Sequence, residues 1–372
     1  MFEMERCAAY LLSGIHGRKS LQAPAPINTT PTAVAMIALL KYGTGMPFNR
    51  MERLETQLGI PLPAATQWEL MEPAAGSLEP ILDELIRQAA QGGVVHNDDT
   101  GMRILKLLRH VDDGRTGTFT SGIVSLRQEW KIALYFSGWK HAGENLADVL
   151  KRRAAGLDAP IQMCDALSRN TPKLPGVEVL LANCLAHGRR QVVGVAANFP
   201  EECRYVLETL GKVYQTDAEA RERQLSPASR LRLHQQHSAP LMEELYQWME
   251  VQFGEHKTEP NSGLGKAISY LQRHWTKLTL FLRQAGAPLD NNIAERTLKK
   301  AILHRKNALF YKTMNGARVG DFFMSLIHTC ELNRVNPFDY LTELLRHPAE
   351  AALRPADWMP WNYRRDAAAV AA

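Results

Sequence analysis

The chain has 372 residues, enough for two or three domains, and 45% of them are hydrophobic against 22% charged, an ordinary globular mixture that excludes a disordered, collagen-like or coiled-coil chain. No apolar run approaches the ~18 residues of a membrane span, and the N-terminus carries acids before its short apolar stretch and bases after it, the wrong order for a secretory signal. Five widely spaced cysteines (Cys7, Cys164, Cys184, Cys203, Cys330) form no CxxC pair, which fits free thiols in a reducing cytoplasm.

Residues 1–32 read as an irregular segment that ends in the Pro- and Thr-rich linker LQAPAPINTTP. Residues 33–93 read as helical. AVAMIALLKYG, MERLETQLGI and TQWELM are divided at Gly59-Ile60-Pro61, as a helical hairpin or a DNA-binding helix-turn-helix would be, and LEPILDELIRQAAQGG follows as an amphipathic helix stopped at Gly92-Gly93. The period then changes. VVHNDDTGMRIL, GTFTSGIVSL and WKIALYF predict three successive strands in an antiparallel meander. The helix AGENLADVLKRRAAG, the short strand PIQMCDAL and a strand-to-helix run VEVLLANCLAHGRRQVV complete residues 94–195. This order predicts an α/β fold with one mixed central sheet flanked by helices. Residues 196–284 carry 11 acids and 7 bases between Glu201 and Pro260 with no strand pattern, and read as a helical insertion broken at QLSPASR and TEPNSGLG. Residues 285–345 return to helices of the core, and 346–372 form a tail with RPADWMPWNYRRD.

Charge is concentrated. The formal net charge is +5, yet Arg296, Lys299, Lys300, Arg305, Lys306, Lys312 and Arg318 follow one another without an intervening acid. A solvated helix face usually mixes signs, so a run this one-sided points either to a polyanionic partner such as nucleic acid or to a merely basic surface. Three acids stand out by position: Asp98 within the first strand, Asp165 at the end of the fourth, and Glu295 at the start of a helix. Carboxylates from two strands and a helix would form an oxygen-only site suited to Mg²⁺ or Mn²⁺, and two such ions can serve phosphoryl transfer. Each acid also has a plain explanation: a strand end for Asp98 with Asp99, a turn start for Asp165, a capping box for Asn292 with Glu295. Cys184-x-x-His187 is half a zinc pattern without a second half, and a core thiol beside a DNA-facing turn (His187, Arg189, Arg190) accounts for it equally. No GxxxxGK[ST] or GxGxxG loop is present, so a nucleotide-driven mechanism is not expected.

PLDNNIAERTLKKAILHRKN, with the following NPFDYL and WMPWNY, resembles the C-terminal part of transposases of the insertion sequence 66 family. HNDDT is similar to that family's first acidic motif, QMCDAL to its second, CLAHGRRQ to its C-x-AH-x-RR segment, and MPFNRMERLETQLGIPLP to the region before its catalytic core. The likeness runs in order from about Leu21 to Tyr363. It implies a DDE-type enzyme on a ribonuclease H-like core that cleaves and joins DNA strands of an insertion sequence. Asp98, Asp165 and Glu295 would be the catalytic and metal-binding triad for two Mg²⁺ ions (Mn²⁺ as substitute). Arg296, Lys299, Lys300, Arg305, Lys306, Lys312, His187, Arg189 and Arg190 would hold DNA. It further implies element ends and target DNA as partners, a homo-oligomer in the active complex, and accessory proteins of the same element. Two features depart from the family pattern. The chain reads as starting inside or just after the cysteine-rich, DNA-binding N-terminal region of longer members, with no CxxC partner for Cys7, and Asp98-Asp99 replaces the usual Asp-Glu. A DNA-binding remnant that competes without catalysing is therefore the alternative expectation.

Overall fold

The computed structural model describes residues 30–60, 62–107, 115, 117–173, 175–176 and 178–363. The irregular segment predicted before Thr30, with Cys7, lies outside the described residues. The chain divides into two compact units: one takes residues up to Gly92, Asp98–Leu157 and Ala294 onward, the other Gly93–Asn97 and Asp158–Ile293.

Helices come first, as the pattern predicts: α1 (Pro31–Ala38, continued by a π turn to Gly43), α2 (Phe48–Gln57), α3 (Ala64–Ser77) and α4 (Glu79–Ala89). Between α2 and α3 the chain reverses at Gly59, whose φ of 75° suits a residue without a Cβ. Strands β1 (Val94–Gly101), β2 (Phe119–Arg127) and β3 (Trp130–Gly138) follow, then α5 (Ala142–Leu150), β4 (Ile161–Cys164) and β5 (Leu180–Asn183). The five strands form one mixed sheet in the order β3-β2-β1-β4-β5. Strands β2 and β3 pair antiparallel from Phe119↔Gly138 to Arg127↔Trp130. β1 and β4 pair in parallel with His96 opposite Met163, and β4 with β5 likewise.

In the second unit, helices α6 (Leu185–Val193), α7 (Pro200–Glu222), α8 (Pro227–Gly254) and α9 (Gly263–Leu278) follow β5. The breaks fall at the Ser-Pro and Asn-Ser-Gly signals. Val206, Leu210, Val213, Met242, Leu245, Met249, Ile268 and Leu271 make their shared core with Ile161 and Met163 of the sheet. Asp217 of α7 joins Arg230 (2.6 Å) and His234 (3.2 Å), fastening α7 to α8, and pairs with Arg221 (3.3 Å) one turn on in its own helix. At the turn into α9 a Cβ on Gly265 would collide with the backbone carbonyl of Glu259, so the tight entry requires glycine.

Helices α10 (Asn292–Ala308), α11 (Met314–Leu332), α12 (Pro337–Arg346) and α13 (Pro348–Leu353) end the described chain. In the first unit α11 lies against β3, the edge strand, and does more than bury Phe323, Leu326 and Ile327. Asp321, Ser325, Thr329 and Asn333 accept hydrogen bonds from the N–H groups of Ser137 (2.6 Å), Tyr135 (3.0 Å), Ala133 (3.0 Å) and Lys131 (3.0 Å). Four helical residues rise ~6 Å and two strand residues ~6.8 Å, so polar side chains every fourth residue keep step with every second strand amide. The helix thereby saturates an edge that would otherwise invite another strand.

Candidate nucleic-acid and metal site

Asp165 stands immediately after β4, where the second unit's sheet gives way to a short 3₁₀ turn, Ser168–Asn170. Its side chain is nearly enclosed, 9% exposed. Oδ1 accepts hydrogen bonds from the Leu167 amide (3.1 Å) and Asn170 Nδ2 (2.6 Å), while Oδ2 accepts none among the described residues. The turn is held in place from the strands. Asn170 carbonyl accepts from Asn97 Nδ2 of β1 (2.8 Å) and Gln162 Nε2 of β4 (2.7 Å), and Gln162 also donates to Asn97 Oδ1 (2.8 Å). Asn97, Gln162 and Asn170 are wholly buried, so each amide is costly unless paired. A carboxylate fixed on one oxygen and open on the other is suited to bind a cation. On α9, burial and then the Asp165 charge push the Tyr270 phenol up to about 12.

The segment before α10 is a knot within the second unit. Asn291 is fully buried; its amide donates to Cys184 Sγ (3.2 Å), its Nδ2 to the Asn97 carbonyl (3.1 Å), and its Oδ1 meets His96 Nδ1 (3.1 Å). Burial lowers the His96 pKa to about 4, so that ring is neutral. Asp290 takes the amide and side chain of Asn292 (3.1 and 2.8 Å). Asn292 is thus the first helical residue, with its side chain turned back to Asp290. Burial also raises the Cys184 thiol to about 11. Cys184 is buried and accepts a hydrogen bond at its sulfur. After it, on α6, Arg189 and Arg190 are exposed and His187 is half-buried.

In the first unit, Asp98 and Asp99 take different parts. Asp98 is half-buried, and its Oδ1 accepts from the Asp99 amide (2.8 Å). The Asp99 side chain is 1% exposed and its Oδ2 lies 2.7 Å from His141 Nδ1, with the Phe119 ring against the imidazole at 4.1 Å. Asp99 is therefore committed to His141 at the start of α5. Glu295, half-buried, occupies the first turn of α10, where an acid is favoured by the helix dipole. That helix is pinned by the Tyr135 hydroxyl on the Thr297 carbonyl (2.8 Å) and comes so close to β2 that a Cβ at Gly122 would touch Leu298 at 3.0 Å.

The basic run separates into two groups. Arg296, Lys299, Lys306, Lys312 and Arg318 are exposed. Lys300 is instead bonded to Glu331 (2.8 Å), and Arg305 reaches back to Thr100 Oγ1 (3.0 Å) and the Gly101 carbonyl on β1. Asn97, Gln162, Asn170, Asn291, His141 and Tyr270 escaped the sequence reading. For Asn291 a signal existed, the repeated Asn of LDNNIAER, since a buried amide can satisfy several backbone groups at once. Among the described residues no helix is long and apolar enough to cross a membrane.

Fold and side chains together define a mixed α/β protein with acids at its strand and helix ends and a cationic helix beside one of them. The chain belongs to the IS66 family of transposases, whose family model matches residues 27–319. It is similar to three uncharacterized proteins of Sinorhizobium fredii. These are y4jD (28% identical over 95% of this chain and 71% of that protein), y4hP (25%, 94% and 66%) and y4qI (26%, 96% and 68%).

Proposed function

We propose that the chain is a DDE-type DNA transposase with a ribonuclease H-like sheet, cutting phosphodiesters at the ends of an insertion sequence and transferring the freed 3′ ends to target DNA. The observation that carries this is positional. His96 and Met163 are register partners on parallel strands, and Asp98 and Asp165 each follow their partner by two residues. Family membership and Glu295 at the head of the helix that bears the exposed bases support the same conclusion.

Asp98, Asp165 and Glu295 offer oxygen donors only, which suits hard divalent cations, and the unbonded Oδ2 of Asp165 is the kind of ligand atom such a cation needs. Two Mg²⁺ ions, with Mn²⁺ as substitute, would neutralise charge at the attacked phosphate and acidify the attacking hydroxyl. The residues around them have distinct tasks. Asn170 and the Leu167 amide hold the Asp165 carboxylate in one orientation, and Asp99, already engaged by His141, leaves the metal to Asp98. Arg296, Lys299, Lys306 and Lys312, with His187, Arg189 and Arg190, hold DNA phosphates. Lys300 and Arg305 keep α10 seated while adding to its positive field. Exchange of one phosphodiester for another is nearly isoenergetic, so no nucleotide cofactor is required. Two element ends must be joined in one complex, which calls for a homo-oligomer, and accessory proteins of the element are further partners.

The test is Mn²⁺-dependent nicking and joining of DNA carrying the element's ends. D165N and E295Q should abolish both steps while DNA binding persists; unchanged strand transfer in either variant would refute the proposal.

A further inference from the structure

Within the first unit a cavity of about 720 Å³ opens between the last residues of β3, the loop into α5 and the first turns of α11. It lies at the end of the sheet where β1 carries its acids. Gly138 in its lining is the register partner of Phe119, whose ring packs on His141, the partner of Asp99.

Its lining is chemically uneven. Four cations contribute, of which Arg115 is engaged by Glu144 (2.9 Å) and Lys140 by Asp148 (2.5 Å). Lys106 and Arg318, both exposed, have no ion-pair partner among the described residues. Phe136 and Met314 supply an apolar wall, and Trp139 adds an indole whose Nε1–H is buried without an acceptor. A buried N–H left unpaired is destabilising and calls for an incoming acceptor. A bare phosphate would use the cations and waste the aromatic wall; an apolar ligand would leave Lys106 and Arg318 without a role. A flat ring with acceptor atoms, linked to a phosphate, uses all of these. The volume falls in the range of about 300–1,000 Å³ typical of small-ligand pockets, far below what a duplex needs.

We infer that this cavity receives one nucleotide of a DNA strand, unstacked from its neighbours, with the base against Phe136 and Trp139 and the phosphate held by Lys106 and Arg318. The inference rests on the reading of the chain as a DNA-processing protein. It adds a binding site for a single nucleotide on the same unit as Asp98.

Tryptophan fluorescence of the full chain, titrated in EDTA with a short oligodeoxyadenylate and separately with dAMP, tests it. The oligonucleotide should quench fluorescence saturably, and the quench should be largely lost in W139F. Removing two phosphate contacts in K106A/R318A should weaken binding about tenfold or more. Thermal melting followed by circular dichroism checks that W139F is folded; both positions in the double variant are exposed, so that variant carries the test if W139F is not. dAMP should bind about tenfold more weakly than the oligonucleotide, because it lacks the neighbouring phosphates. An equal quench in a folded W139F, or unchanged affinity in K106A/R318A, would overturn the site. dAMP binding as tightly as the strand would make it a pocket for free nucleotides and overturn the DNA assignment. The titration scores no cleavage, so its failure is distinct from retention of strand transfer by D165N.

Discussion

Asp321 gives the most quantitative handle on the first unit. Its buried carboxyl lies between α11 and β3, accepting from the Ser137 amide (2.6 Å) and hydroxyl (2.8 Å), and the latter hydroxyl lies 2.7 Å from Thr120 Oγ1. Burial raises its pKa from 3.8 to about 7, and the two Ser137 hydrogen bonds only partly oppose that. The unfolded chain ionises near pH 4 while the folded chain keeps its proton until about pH 7. Stability from this group is therefore complete below pH 4 and declines as pH rises, levelling off above the folded value. The shift of about 3 units corresponds to at most about 4 kcal/mol, of which about 3 kcal/mol falls between pH 5 and pH 8. Asp321→Asn keeps an acceptor for the Ser137 amide and removes the ionisation. Thermal unfolding of both chains at pH 5 and pH 8 isolates the effect, since every other titration cancels in the comparison. At about 2 °C per kcal/mol, the variant should gain several degrees relative to the parent chain on going to pH 8. A melting difference independent of pH would refute the reasoning.

Other outcomes follow from the same contacts. Ser325→Ala leaves the Tyr135 amide of the edge strand without its acceptor and should cost about 1–3 kcal/mol in urea denaturation. Asp217→Asn should cost about 3 kcal/mol, because Arg230 and His234 would be left facing a neutral side chain. Burial opposes ionisation of Asp217, yet His234 and Arg230 prevail and hold its pKa below the usual value, so this stabilisation is present above pH ~4 and lost as pH falls through the folded value. Arg305→Ala should lower stability by about 1–3 kcal/mol by freeing Thr100 and Gly101, whereas Lys299→Ala should leave stability unchanged and reduce the salt slope of DNA binding by about 1. In the nicking assay Asp98→Asn should abolish activity, while Asp99→Asn should retain a measurable part of it, since Asp99 acts through His141; equal loss in both would assign the ligand role to the pair.

Much of the architecture is carried by local signals. Alternation and β-branched content mark β1 to β3, Gly92-Gly93 ends the helix before them, and Ser226-Pro227 and the Asn261–Gly265 turn divide the insertion where α8 and α9 begin. The strands β4 and β5, four residues each, are legible only as short apolar runs, because their parallel pairing is made with residues far away in the chain. The polar stripe Asp321-Ser325-Thr329-Asn333 was not legible. Mid-helix hydroxyls normally bond their own helix or face water, and nothing in α11 announces that an edge strand of matching rise lies beside it.

Charge shows the same boundary between count and placement. Seven bases without an acid is a property of sequence, but a guanidinium is long enough to reach a backbone carbonyl or a distant glutamate, and two of the seven do. The other five stay exposed, so positive charge on the surface is carried by fewer residues than the count of the run. The acids follow the opposite logic. Asp98 and Asp99 are equivalent by type and position, yet the Asp99 side chain is enclosed and lies 2.7 Å from His141 whereas Asp98 is half-buried. Asp165 is distinguished in the same way, by having one oxygen bonded and the other open. What fixes the Asp165 carboxylate is therefore the buried polar network of Asn170, Asn97 and Gln162, whose members the sequence does not connect.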